Sequence, residues 1–193
     1  MRYYFIELDR EYVNAVRIKN WFKNPQVRNI LDKKYDEVEE NLFFYAEQKE
    51  NIDFTDIISN PFFLLSEKVR EAVMAFLPNL TLKNVYLFDE KKGEAKEYFL
   101  PCLEEVDCLT EDSRYNRDRS ILEKAVLDKS RIGDRALFAL KGPKNNYIAA
   151  RLDFIEVLTR YRFRGMKWTE VETVGEEEIY EMRNLSYIYF EWN

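Results

Sequence analysis

The feature that most constrains this chain is the stretch from Ser66 to Trp168, where two helix signatures bracket a run of short strand-like segments. Ser66 opens the first as a capping hydroxyl. Val69, Ala72, Val73 and Phe76 follow at helical spacing and give it one apolar face. Phe154, Val157, Leu158 and Tyr161 repeat that spacing in the second, and Gly165 stands where a left-handed residue would end it. Met166-Lys167-Trp168 then reads as a strand. Between the helices, apolar runs alternate with turn residues: Val85 to Phe88, Tyr98 to Leu100, Ala125 to Leu127, Ala136 to Leu140 and Tyr147 to Ala150. Lys92-Gly93 and the run Lys141 to Asn146 read as hairpin connections. Strands preceded and followed by helices, without regular alternation, predict an α+β fold: a mainly antiparallel sheet packed against two principal helices.

Both ends of the chain have strand character. Tyr4, Ile6 and Leu8 alternate with Tyr3, Phe5 and Glu7, and Ile188, Phe190 and Trp192 alternate with Tyr187, Tyr189 and Glu191. Between Asn20 and Asp56 the pattern is weaker. Asn24-Pro25 marks a turn and Leu42-Phe-Phe-Tyr45 reads as a buried strand. No internal repeat is visible. The expectation is a single domain over 1–193, with 1–60 its least characterised part.

A chain of 193 residues with 46% hydrophobic content buries a substantial core. Its 30 basic against 36 acidic residues argue against a main role in neutralising nucleic-acid phosphates or anionic lipid. The charged first residues do not form a signal region, and no apolar run of about 18 residues occurs, so a cytoplasmic protein is expected. If the intervening residues are extended, Cys102 and Cys108 stand roughly 20 Å apart, beyond disulfide reach. Two free thiols are expected.

The chain has no histidine, which removes the commonest general base and neutral metal ligand together. Two cysteines without histidine do not close a structural zinc site, and five glycines are too scattered for a phosphate-cradling loop. No cofactor is expected. Carboxylate pairs remain as an acid and base option, with Asp53 and Asp56 or Asp107 and Asp112 as sequence neighbours. The alternative for each is a cap, a turn anchor or a solvated charge. Arg114 to Arg119 mixes basic side chains with Tyr115, as a single-strand contact does, or forms a solvated loop with its acidic neighbours. The Arg160 to Arg164 run is either a ligand patch or a complement to a helix dipole.

From residue 166 onward, Lys167 and Arg183 face seven glutamates, among them Glu176, Glu177 and Glu178, so most of the chain's formal charge of −6 resides there. With Tyr187, Tyr189 and Trp192 these form a candidate docking surface for a basic partner, or else a solvated approach to a core strand.

Four segments in fixed order carry a further likeness: Phe62 to Val69, Val106 to Ser113, Ala125 to Ser130 and Ala136 to Phe138. Tyr147-Ile-Ala and the helix ending at Arg164-Gly165-Met-Lys-Trp168 extend it. Over 61–170 the chain resembles a bacterial polymorphic-toxin immunity protein family of the immunity protein eleven type, formerly filed as a domain of unknown function. Ala150 departs from it, standing where the family more usually places a polar helix cap. The resemblance implies a protein that binds and neutralises a cognate toxin domain encoded by a neighbouring gene, without turnover or cofactor. A carboxylate-dependent enzyme is the alternative.

Overall fold

The structure is a computed structural model, and it describes residues 1–118 and 120–175. The chain begins with β1 (Tyr3–Leu8), β2 (Ile18–Lys19), α1 (Val27–Leu31), β3 (Asn41–Ala46), β4 (Ile57–Ile58) and β5 (Leu64–Ser66). There follow α2 (Glu67–Phe76), β6 (Leu82–Asp89), β7 (Glu94–Pro101), β8 (Glu105–Val106), β9 (Arg114–Tyr115) and β10 (Leu122–Lys124). The remainder is β11 (Val126–Asp128), α3 (Lys129–Ile132), β12 (Leu137–Leu140), β13 (Ile148–Arg151), α4 (Leu152–Thr159) and β14 (Met166–Val174).

Two six-stranded sheets form where one was expected, in the orders β2-β3-β6-β7-β5-β4 and β11-β14-β1-β13-β12-β8, beside a small β9-β10 hairpin. Most pairs are antiparallel; β3 with β6, β11 with β14 and β12 with β8 run parallel. The two sheets repeat one another. In each, a parallel pair (β3-β6, β11-β14) is followed by three antiparallel partners (β7-β5-β4, β1-β13-β12), with β2 beside β3 and β8 beside β12 as the unmatched sixth strands. Each of α2 and α4 starts directly after the equivalent strand, β5 or β13.

The equivalence holds residue by residue. Leu65 lies opposite Phe99 and Ile57, and Ala150 opposite Tyr4 and Leu137. The N–H of Ser66 donates to the Asp56 carbonyl at 2.8 Å, and that of Arg151 to Ala136 at 2.9 Å. Tyr98 and Tyr3 are the matching buried tyrosines, with hydroxyls donating to the carbonyls of Thr55 (2.8 Å) and Gly133 (3.4 Å). The relation is permuted: β7 follows β6 in the first repeat, whereas β1, from the start of the chain, takes that place beside β14.

One core joins the repeats. Val69, Ala72 and Val73 of α2 and Phe154, Ile155 and Leu158 of α4 pack with Phe63 just before β5, with Leu65 and Phe99 of one sheet, and with Ile6, Ile148 and Ala150 of the other. Phe76 meets Phe154 edge-on at 5.3 Å. The opposite sheet faces have cores of their own, with α1 over Leu42, Phe44 and Val85 and α3 over Phe138 and Ala149.

Ser66 caps α2 as its sequence predicts, accepting from the Val69 N–H at 3.4 Å, and Asp56 Oδ1 accepts from its hydroxyl at 2.9 Å. At α4 the cap position falls on Arg151, not Ala150, and its side chain makes no capping bond. Asp153 serves instead, accepting from the Phe154 N–H at 2.9 Å and from the Arg151 guanidinium at 2.8 Å on both oxygens. Helix α4 stops at Thr159, which leaves Tyr161 exposed and Gly165 well beyond its end. Gly165 does have φ 75°, but it serves the entry into β14, packed against Thr55. The expected strand at Leu42 to Tyr45 exists as β3, yet only Leu42, Phe44 and Ala46 are buried. Cys102 and Cys108 are free thiols.

Candidate functional site: an aromatic sheet face and a cleft between the repeats

Alternation along β3 and β6 sends Phe43, Tyr45, Tyr86 and Phe88 to the face opposite Leu42, Phe44, Val85 and Leu87. That is the side on which α2 covers Phe99, but these four rings take no part in the shared core. They stack on one another instead: Phe43 on Tyr86 with centroids 5.5 Å apart, Phe43 near Phe88 at 6.3 Å and Tyr45 on Phe88 at 5.8 Å. Phe43 stays 56% and Tyr45 51% exposed, which for aromatics in the middle of a strand is a large apolar area left to solvent. Burial and the Glu97 carboxylate push the Tyr86 phenol up. Lys19, Lys23 and Glu90 border the patch, with Lys19 Nζ on Glu90 at 2.8 Å.

The second repeat shows that the fold does not require this ladder. The equivalents of Phe43, Tyr45, Tyr86 and Phe88 there are Val126, Asp128, Glu172 and Val174, taken from the matched registers. Glu172 pairs with Lys124 at 3.0 Å, and Asp128 caps α3 by accepting from the Ser130 N–H at 2.9 Å. Same frame, no exposed rings.

The second feature is a cleft where the two equivalent hairpin loops, β4-β5 and β12-β13, converge on the end of β1. Two adjoining cavities of about 610 Å³ each share Leu8, Arg17, Ser59, Asn60, Asn145 and Asn146 in their walls. Ser59 Oγ accepts from the Leu8 N–H at 2.7 Å and so ties one loop to β1. Lys33 donates from Nζ to Asn146 Oδ1 at 3.0 Å, and burial pulls its pKa down against the opposing field of Glu105. Glu47 and Glu105 line the first cavity.

The residues singled out in sequence fall elsewhere. Glu176, Glu177, Glu178, Tyr187, Tyr189 and Trp192 lie outside the described residues, as does Arg119. Asp53 and Asp56 are engaged structurally: Asp53 pairs with the Arg164 guanidinium at 2.6 Å, and Asp56 accepts from the Arg164 N–H at 2.6 Å and from Ser66. Asp107 and Asp112 are exposed. Arg114 and Tyr115 sit on the β9-β10 hairpin, and Arg160 closes α4. Among the described residues no cluster of three acidic or cysteine side chains is placed to hold a metal ion, and no helix is long and apolar enough to cross a membrane. The ladder escaped the sequence reading because Leu42-Phe-Phe-Tyr looked continuous; the spacing of Phe43 with Tyr45, and of Tyr86 with Phe88, was its only signal. Comparison with known proteins gives no matching family model and no match among curated proteins.

Proposed function

We propose that this chain is a non-catalytic inhibitor that binds and masks a toxin domain encoded by a neighbouring gene. The observation that carries this reading is the aromatic ladder in which exposed Phe43 and Tyr45 stack on half-buried Tyr86 and Phe88, a patch that the equivalent frame of the second repeat does without. Preorganised aromatic anchors of this kind form the centre of protein interfaces at small entropic cost. The resemblance over 61–170 supplies the class of partner. In this reading Glu176, Glu177, Glu178, Tyr187, Tyr189 and Trp192 add a second, acidic contact that speeds encounter with a basic toxin.

Co-expression with the adjacent toxin gene restores growth, and the tagged chain retains the toxin in a pull-down. Phe43→Ser with Tyr45→Ser weakens that complex at least tenfold while the melting temperature holds, because both side chains are already solvated. Replacing the three glutamates by glutamine slows association and flattens its salt dependence. Absence of binding and protection with the adjacent toxin overturns the reading. The competing carboxylate-enzyme reading rests on Glu47 and Glu105 sharing a cavity; it requires a turnover that disappears in Glu47→Gln or Glu105→Gln.

A further inference from the structure

The cleft between the repeats holds one charged group whose position the backbone argues against. Helix α1 ends in a reverse turn with two bonds, Lys34 N–H to the Asn29 carbonyl at 2.9 Å and Lys33 N–H to the Ile30 carbonyl at 3.2 Å. The residue at the left-handed position of that turn is Lys33, with φ 56°. Glycine adopts this conformation without a Cβ penalty, so the turn gains nothing from a lysine. What the lysine contributes is its side chain, which reaches into the cleft and is half-buried.

The ammonium there has one hydrogen-bond partner, the neutral amide of Asn146 at 3.0 Å; the Glu105 carboxylate acts on it only through its field, and it makes no ion pair among the described residues. Two of its three N–H bonds are left to a partly dehydrated space large enough for a ligand. A cation withdrawn from water is ordinarily matched by an anion. Arg17, exposed in the same wall, likewise makes no ion pair among the described residues, and Lys144 adds a third cation to it. Glu47 and Glu105 are the acidic members of that lining.

We propose that this cleft is a binding site for a carboxylate, with Lys33 as the cation that receives it, Arg17 as a second positive group, and Asn60 and Asn145 as amide donors from the two equivalent loops. A singly charged carboxylate fits better than phosphate, since Glu47 and Glu105 repel a dianion more strongly. The volume of about 610 Å³ accommodates a small organic acid or an acidic side chain offered by a partner's loop.

The test uses the full chain labelled with ¹³C-lysine, the Lys33 resonance being the one missing from Lys33→Gly. Butyrate, a blocked pentapeptide with a central glutamate, and inorganic phosphate are titrated separately at neutral pH, the first two each carrying a single carboxylate. Saturable movement of the Lys33 signal with butyrate identifies a free acid as the source; movement with the peptide alone identifies a partner side chain. Either supports the site, provided that binding falls at least tenfold in Lys33→Gly and several-fold in Arg17→Ala. Lys33→Gly melts at or above the wild-type temperature, because glycine suits the turn. The proposal is overturned by no saturable shift with either carboxylate, by binding that survives Lys33→Gly, or by a response to phosphate alone. A large drop in melting temperature for Lys33→Gly without ligand binding in the wild type also overturns it, and makes the Asn146 contact a structural tie.

Discussion

At Gly165 a Cβ would lie 2.6 Å from Thr55 Cγ2 and 2.8 Å from Thr55 Cβ, with the backbone at φ 75°. Thr55 has no room to retreat, since it is buried and its hydroxyl donates to the Ile57 carbonyl at 2.7 Å. Strain at positive φ and overpacking add, so Gly165→Ala should cost about 2–4 kcal/mol, measured by urea unfolding. The two thiols differ just as locally. Cys108 is fully buried, and burial, with Asp107 nearby, pushes its thiol up to about 12, so at pH 8 almost no thiolate forms and none is accessible. Cys102 is also pushed up by burial but is half-exposed. A native sample at pH 8 should therefore react with a thiol reagent at Cys102 first, and at Cys108 only on unfolding. Fast modification of both would show that the β8 region opens readily.

At the scale of elements, α2 was legible because three signals agreed: a capping serine, helical spacing and a buried face at Val69, Ala72 and Val73. Val73→Asp puts a carboxylate where 1% of the residue is exposed, in the core that both repeats share. The expected loss is about 4 kcal/mol or more, a large part of a domain's net stability, and circular dichroism should show an unfolded or barely cooperative chain. Helix α4 was only half legible. Its apolar spacing was correct at Phe154 and Leu158, but its cap is the Arg151–Asp153 pair, which leaves no serine-like mark, and Gly165 resembled a terminator while serving a strand. That pair titrates. The Arg151 guanidinium and then the Phe154 N–H hold the Asp153 carboxyl below its ordinary range, despite opposing desolvation. With the folded value depressed, its contribution is complete above the unfolded value of about 3.9 and fades as pH falls through the folded one. Asp153 is 48% exposed, so screening limits the effect to about 0.5 kcal/mol. Asp153→Asn should lower the melting temperature by a few degrees or less at pH 7 and leave it unchanged near pH 2.

The whole molecule holds what the sequence conceals. Equivalent positions carry different residues: Ser66 answers to Arg151, Leu65 to Ala150 and Phe99 to Tyr4, so the repeat is written in register and burial rather than in letters. Its permutation is less legible still, because pairing β1 with β14 joins Tyr3 to Val171 across most of the described chain. This placement makes β1 a central strand, bonded to β13 on one side and β14 on the other, with Tyr3 buried in one core and Ile6 in the core that contains α2. Removing residues 1–8 would leave two long strand edges without partners and open both cores, a loss of backbone pairing and apolar burial beyond a net stability of about 5–15 kcal/mol. The truncated chain should lack a cooperative thermal transition in both repeats, although every residue of the first sheet is still present. Trp21 and Trp168 report on the two halves separately when the other, together with Trp192, is replaced by phenylalanine. In the full chain their urea transitions should coincide, because α2 and α4 share one core; in the truncated chain both should be lost. A Trp21 transition that survives truncation at its original midpoint would show that the first repeat folds alone and that the shared core does not couple the two.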